Sequence, residues 1–143
     1  MTTLCLLLQD GFASLDVAEG SHSGQLTTRV LQWPAAERHL FVNHVATNLR
    51  AEVLTADGKP IPPFTLANCV PLSGDNTRQE LTWSGAKDGL AAVAGQPVRL
   101  RFELESGRLF SFWTAPSTCG ASNGYLSSGA GLVRGRDMHG SCA

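Results

Sequence analysis

Residues 97–113 read PVRLRFELE, then SGR, then LFSFW. The first run alternates strictly between apolar and charged side chains, with Val98, Leu100, Phe102 and Leu104 in one set and Arg99, Arg101, Glu103 and Glu105 in the other. A period of two predicts a β-strand with one buried face and one solvated face, on which the opposite charges pair. The short polar break at residues 106–108 and the aromatic run after it predict a β-hairpin.

The rest of the chain shows the same strand-and-turn pattern. Further strands are predicted at residues 11–17, 25–33, 39–46, 49–55 and 77–83, and a turn at Asp57-Gly58. The proline-rich residues 60–63 predict a loop or an edge strand, and residues 88–95 contain one helical turn. Short strands at roughly 8–12-residue spacing are typical of sandwiches and jelly rolls. We therefore predict an all-β fold, an antiparallel β-sandwich of the jelly-roll kind at residues 1–113. A Gly/Ser-rich tail at residues 114–143, partly ordered, lies over the sandwich or against another partner.

The composition of the chain limits the kinds of partner and location that can be expected. The chain has 143 residues, of which 43% are hydrophobic, and this is enough for the core of one domain. Its formal net charge is −1, from 11 basic and 12 acidic residues, which favours neither nucleic acid nor an anionic membrane surface. No apolar run approaches the roughly 20 residues of a membrane-spanning helix. The apolar run at residues 4–8 is too short for the core of a signal peptide, so no export signal is expected in the chain as written.

The cysteines and histidines do not predict a metal site. Cys5, Cys69, Cys119 and Cys142 lack the spacing of zinc ligands, and the four histidines are scattered. Cys119 and Cys142 either form a disulfide, if the protein is exported, or remain free thiols. We predict no metal and no cofactor.

Several segments, in order along residues 10–113, carry a family resemblance. They are residues 10–16 (DGFASLD), 24–29 (GQLTTR), 40–43 (LFVN), 52–61 (EVLTADGKPI), 74–78 (GDNTR) and 98–102 (VRLRF). Together they resemble the C-terminal β-sandwich module that follows a β-propeller in glycoside-hydrolase-like secreted proteins. Such modules are similar to the accessory sandwiches of glycosidase families 32 and 43.

The resemblance implies an accessory domain without catalytic residues, because the catalytic carboxylates of those enzymes sit in the propeller. The implied partners are the propeller domain of a parent protein and oligosaccharide, and the location is extracellular if the parent is exported. The alternative is a small free-standing glycoside hydrolase. A third hypothesis is self-association through an exposed sheet edge.

The acidic residues favour the hypothesis of a non-catalytic accessory domain. A glycosidase needs two carboxylates about 5–9 Å apart, and Asp57 and Asp75 are the best candidates because each adjoins a glycine. The same composition is typical of turns, in which an aspartate bonds nearby backbone. We interpret both residues as turn residues.

The tryptophans are the candidate carbohydrate contacts, since aromatic faces can stack on sugar rings. Trp83 shares the phase of Leu81 and is expected in the core. Trp33, at a strand end before Pro34, is expected to be accessible. Trp113 is out of phase with Phe110 and Phe112 and is expected to face the tail. Trp33 and Trp113 are therefore the predicted sugar-stacking residues.

Overall fold

The computed structural model describes residues 14–121, which form one six-stranded antiparallel sheet that does not close on itself. The strands are β1 (Leu15–Asp16), β2 (Ser23–Thr27), β3 (Leu31–Gln32), β4 (His39–Thr55), β5 (Leu72–Leu81) and β6 (Pro97–Ala115), and a 3-10 helix spans Gly89–Val93. β4 and β6 pair along almost their whole length, β5 pairs with the other edge of β4, and β1, β2 and β3 follow one another along the other edge of β6. The all-β, antiparallel class is confirmed.

The hairpin predicted at residues 97–113 is wrong, because this stretch lies within the single 19-residue strand β6. Its polar break continues to pair with β4, with Gly107 opposite Ala46. Gly107 is required there because a Cβ on it would lie 2.0 Å from the carbonyl oxygen of Val45. The break is therefore a bend. Leu104 faces the core before it and Leu109 faces the core after it, so the alternation of core-facing side chains along β6 shifts by one residue.

β4 bends with its partner. The apolar residues that β4 contributes to the main core cluster are Leu40, Val42 and Ala46 before the bend and Leu49, Ala51 and Val53 after it. The two strands predicted at residues 39–46 and 49–55 are thus one strand whose buried phase shifts by one residue. Conversely, the strand predicted at 25–33 is divided into β2 and β3, and the strand predicted at 77–83 begins earlier, at Leu72.

The alternation in the first half of β6 is confirmed. Val98, Leu100 and Phe102 are inaccessible to solvent and Leu104 is buried. The opposite face is less solvated than expected, because only Glu105 of its four charged residues is exposed. Arg99 donates hydrogen bonds to the carbonyl oxygens of Ala56 and Thr28, and Arg101 forms a 2.8 Å ion pair with the buried Glu52.

β5 pairs with β4 only as far as Leu49. Beyond Leu49, a loop supplies hydrogen-bond partners to the same edge of β4, residue by residue. Within a strand, the N–H and C=O of one residue point to the same side, so each of Ala51, Val53 and Thr55 needs two partners on this edge. Val53 receives them from Phe64 and Ile61, and Thr55 from Lys59 and Gly58. The loop therefore takes the place of a missing strand.

Ala51 obtains its two edge partners from side chains. Its N–H donates to the Cys69 Sγ at 3.3 Å, and its carbonyl oxygen accepts from the Trp83 Nε1 at 2.9 Å. Trp83 is 6% exposed, as its phase predicted, and its ring meets Phe64 edge-on at 5.7 Å. Cys69 is a buried free thiol whose pKa is raised by burial. Cys69 and Trp83 thus both pack in the core and provide the hydrogen-bond partners of Ala51 at the edge of β4.

The predicted local features of the connections are confirmed. Gly58 has φ +92° in the turn after β4, where an L side chain would be strained. The proline-rich segment is a loop, with a cis peptide bond between Pro62 and Pro63. The helical turn expected within 88–95 is the 3-10 helix, which buries Leu90 and Val93 against the sheet.

Candidate functional site

Trp33 lies in the core, with only 2% of its surface exposed, so the predicted accessibility is wrong. The chain turns after Pro34, and this turn brings the Glu37 carbonyl oxygen to 2.7 Å from the Trp33 Nε1. The Trp33 N–H also donates to the Gln96 carbonyl oxygen at 2.9 Å. The proline therefore folds the chain over the indole, and no ring face is open for sugar stacking.

Trp113 is half-buried on the outer face of the sheet. It stacks on its cross-strand partner Phe41, with ring centroids 5.9 Å apart and an interplanar angle of 19°. Its Nε1 donates to the Gly120 carbonyl oxygen at 2.9 Å, so it faces the segment after β6, as its phase predicted. Phe112 points to the other side, where its ring lies 5.1 Å from that of Phe102.

Residues 116–121, the first part of the predicted tail beyond β6, lie over Phe41. A Cβ on Gly120 would be 2.6 Å from the Phe41 ring, and Gly120 has φ +70°, so this position requires glycine. Phe41 and Ala121 are buried as a result. Cys119 takes part in a disulfide bond, so of the two alternatives for this residue the free thiol is wrong. Cys142, the other cysteine considered for that bond, lies outside the described residues.

A polar pair lies beside this aromatic pair. Phe41 is paired in register with Glu80 of β5 on one side and with Trp113 of β6 on the other, so the three side chains form a row on one face. Glu80 Oε1 lies 2.6 Å from the Nδ1 of His39, and both side chains are largely buried, with exposed fractions of 26% and 19%. The carboxylate thereby fixes the orientation of the imidazole, and the other ring nitrogen, Nε2, is available to a ligand.

A cavity of about 170 Å³ opens beside this pair, between the end of β5 and the 3-10 helix. Its lining combines apolar side chains with four ionisable ones, namely Arg38, His39, Glu80 and Lys87. The wall is fixed by backbone, because the Leu90 N–H donates to the Arg38 carbonyl oxygen at 2.8 Å and a Cβ on Gly89 would lie 2.4 Å from the same oxygen. Within residues 14–121, neither Arg38 nor Lys87 has an ion-pair partner.

The two candidate catalytic carboxylates are not in this cavity. Asp57 accepts a hydrogen bond from Thr55 in the turn after β4, and this bond, with the Lys59 side chain, lowers its pKa. A general acid needs the opposite shift. Asp75 is exposed on β5 opposite Val45, so its interpretation as a turn residue is wrong, and that of Asp57 is confirmed.

Residues 14–121 contain no group of three or more metal-ligating side chains. No helix in this range is long and apolar enough to cross a membrane.

Sequence reasoning missed the pair of His39 and Glu80 and the two cations near it. The two members of the pair are 41 positions apart and meet only because β4 and β5 pair in this register. The available signal was one ionisable residue on each of two predicted strands, His39 within 39–46 and Glu80 within 77–83, a pattern that fits many surfaces.

Comparisons of this chain with protein-family models, with curated proteins and with solved structures give no match. The resemblance carried by residues 10–113 therefore stays a prediction.

Proposed function

We propose that this chain is a non-catalytic accessory module of a glycoside-hydrolase-like protein. In this proposal its sheet belongs to a β-sandwich of the jelly-roll kind, packs on the propeller domain of a parent protein and contacts carbohydrate. The segment resemblance supports the accessory role. The disulfide at Cys119 supports export of the parent, because disulfides persist in oxidising compartments.

The Trp113 ring is the observation that carries the carbohydrate contact. It is half-buried rather than buried, so part of the indole meets solvent. Its position is fixed from two sides, by the ring of Phe41 and by the hydrogen bond to Gly120. An aromatic face held in place loses little conformational entropy when a sugar ring stacks on it. Neither Trp33 nor Trp83 offers such a surface, because both are buried.

The test is a titration of the full chain with a panel of neutral oligosaccharides, followed by tryptophan fluorescence. Stacking on one ring contributes only about 0.5–1.5 kcal/mol beyond its area burial, so we expect a dissociation constant near 1 mM, equivalent to about 4 kcal/mol. Trp113→Ala should weaken binding by about tenfold or more. Trp33→Phe is the control, because a buried indole should not affect it. Binding that survives Trp113→Ala, or no binding by any glycan of the panel, overturns the carbohydrate contact.

The same proposal predicts that the isolated chain is inert toward aryl glycosides. Asp57 has a lowered pKa in its turn and Asp75 lies in a different element, so neither environment is that of a proton donor held beside a nucleophile. Turnover that disappears on Asp57→Asn or Asp75→Asn would contradict the non-catalytic role and favour the small free-standing hydrolase.

A further inference from the structure

We infer that the cavity beside His39 and Glu80 binds the ring of an acidic sugar, a hexuronate. This inference rests on the proposed function, because it names the class of glycan that the same end of the sheet accepts.

The first support is the charge of the cavity. Arg38 and Lys87 contribute two positive charges with no ion-pair partner in residues 14–121, whereas Glu80 contributes one negative charge that is already engaged by His39. The lining therefore has an excess of positive charge at neutral pH, and a carboxylate on the ligand complements it.

The second support is the hydrogen-bonding capacity of the pair. His39 uses Nδ1 and Glu80 uses Oε1 in their mutual contact, so Nε2 and Oε2 have no partner among the described residues. Sugar hydroxyls both donate and accept, so they can satisfy a carboxylate oxygen and an imidazole nitrogen side by side. A ligand with one carboxylate and several hydroxyls thus matches both kinds of group in the lining.

The third support is size and shape. The volume of about 170 Å³ equals the space of roughly five to six waters, which is the scale of one small ring rather than of a chain. The lining also includes the buried apolar residues Leu81, Trp83 and Leu90, beside which the C–H face of that ring would lie.

The cavity and Trp113 lie at one end of the sheet. Glu80 and Trp113 flank Phe41 on the neighbouring strands, so their backbones are separated by two strand spacings, about 10 Å. One glycan could therefore place a neutral ring against Trp113 and an acidic ring in the cavity.

The experiment compares glucuronate, glucose and acetate as ligands of the full chain by isothermal titration calorimetry and by competition. We expect glucuronate to bind more tightly than glucose or acetate, and to lose affinity as salt is added. Lys87→Gln and Arg38→Gln should each weaken glucuronate binding about two- to fivefold, the range of an exposed charge pair. Lys59→Gln is the matched control, since it removes the same charge from the turn at the opposite end of β4 and should change nothing.

The outcomes separate this inference from the function on which it rests. Neutral oligosaccharides that bind through Trp113, with no preference for glucuronate, overturn the acidic-sugar inference and leave the proposed function standing. Acetate that competes as well as glucuronate reduces the cavity to an anion site and overturns the sugar class. Failure of every ligand, neutral oligosaccharides included, overturns both this inference and the carbohydrate contact at Trp113.

Discussion

Replacing Trp83 with phenylalanine should destabilise the fold mainly through one lost hydrogen bond. The Trp83 Nε1 is the edge partner of the Ala51 carbonyl oxygen, and Ala51 has no solvent exposure. A buried carbonyl left without a partner costs about 1–3 kcal/mol, and the smaller ring also leaves space against Phe64. Together these effects should lower the free energy of unfolding by about 2–4 kcal/mol.

The assay is urea unfolding of the full chain followed by circular dichroism. With a slope of about 2 kcal/mol per molar urea, the middle of the usual range, the midpoint should fall by about 1–2 M at an unchanged slope. The control is Trp33→Phe, which makes the same ring change in the core. Its lost partner is the Glu37 carbonyl, which lies in a half-exposed turn where water can replace the donor. This prediction would be refuted if Trp83→Phe lowered the free energy of unfolding by less than about 0.5 kcal/mol, or if Trp33→Phe lowered it equally. The hydrogen bond from Trp83 to Ala51 would then not stabilise the edge of β4.

Four further predictions concern other parts of the sheet. Phe102→Ala should cost about 3–5 kcal/mol by the same assay, because the side chain is fully buried; a cost below 1 kcal/mol would contradict its core position. Gly107→Ala should prevent the pairing at the bend, since the new Cβ would overlap the Val45 carbonyl oxygen, and a variant with native circular dichroism and midpoint would show that the strands do not approach so closely. Cys69 should react with iodoacetamide far more slowly in the folded chain than in urea, because burial both covers the thiol and raises its pKa; peptide mapping that shows equal rates would disprove this. Burial raises the pKa of Glu37, so the folded state loses stability as pH rises from the ordinary value of 4.5 through the raised one. Glu37→Gln should therefore increase stability at neutral pH and lose this advantage below pH 4.5, and a variant that gains nothing at pH 7 would count against the burial of this carboxyl.

The sequence predicted the features that depend on neighbouring residues. The alternation from Val98 to Leu104 determines which side chains of β6 are buried, because a strand places successive side chains on opposite faces. The opposite orientations of Phe112 and Trp113 follow from the same rule, and the turn at Gly58 follows from its local composition.

The features that depend on distant pairing could not be predicted. A polar break such as residues 106–108 is compatible with a hairpin turn or with a bend, and only the length of β4 beside it decides between them. Likewise, the turn after Pro34 could leave Trp33 open or cover it, and the carbonyl oxygen of Glu37 covers it. The pair of His39 and Glu80 requires the register of two strands that are separated by a long loop.

The carbohydrate contact at Trp113 is tested most directly by nuclear magnetic resonance of the ¹⁵N-labelled full chain during titration with an oligosaccharide that binds it. The chain has three indole N–H groups, and two of them belong to buried tryptophans, so they serve as internal controls. The account predicts that the Trp113 resonance shifts progressively with glycan while those of Trp33 and Trp83 stay in place. A Trp113 resonance that does not move while other residues do would contradict it.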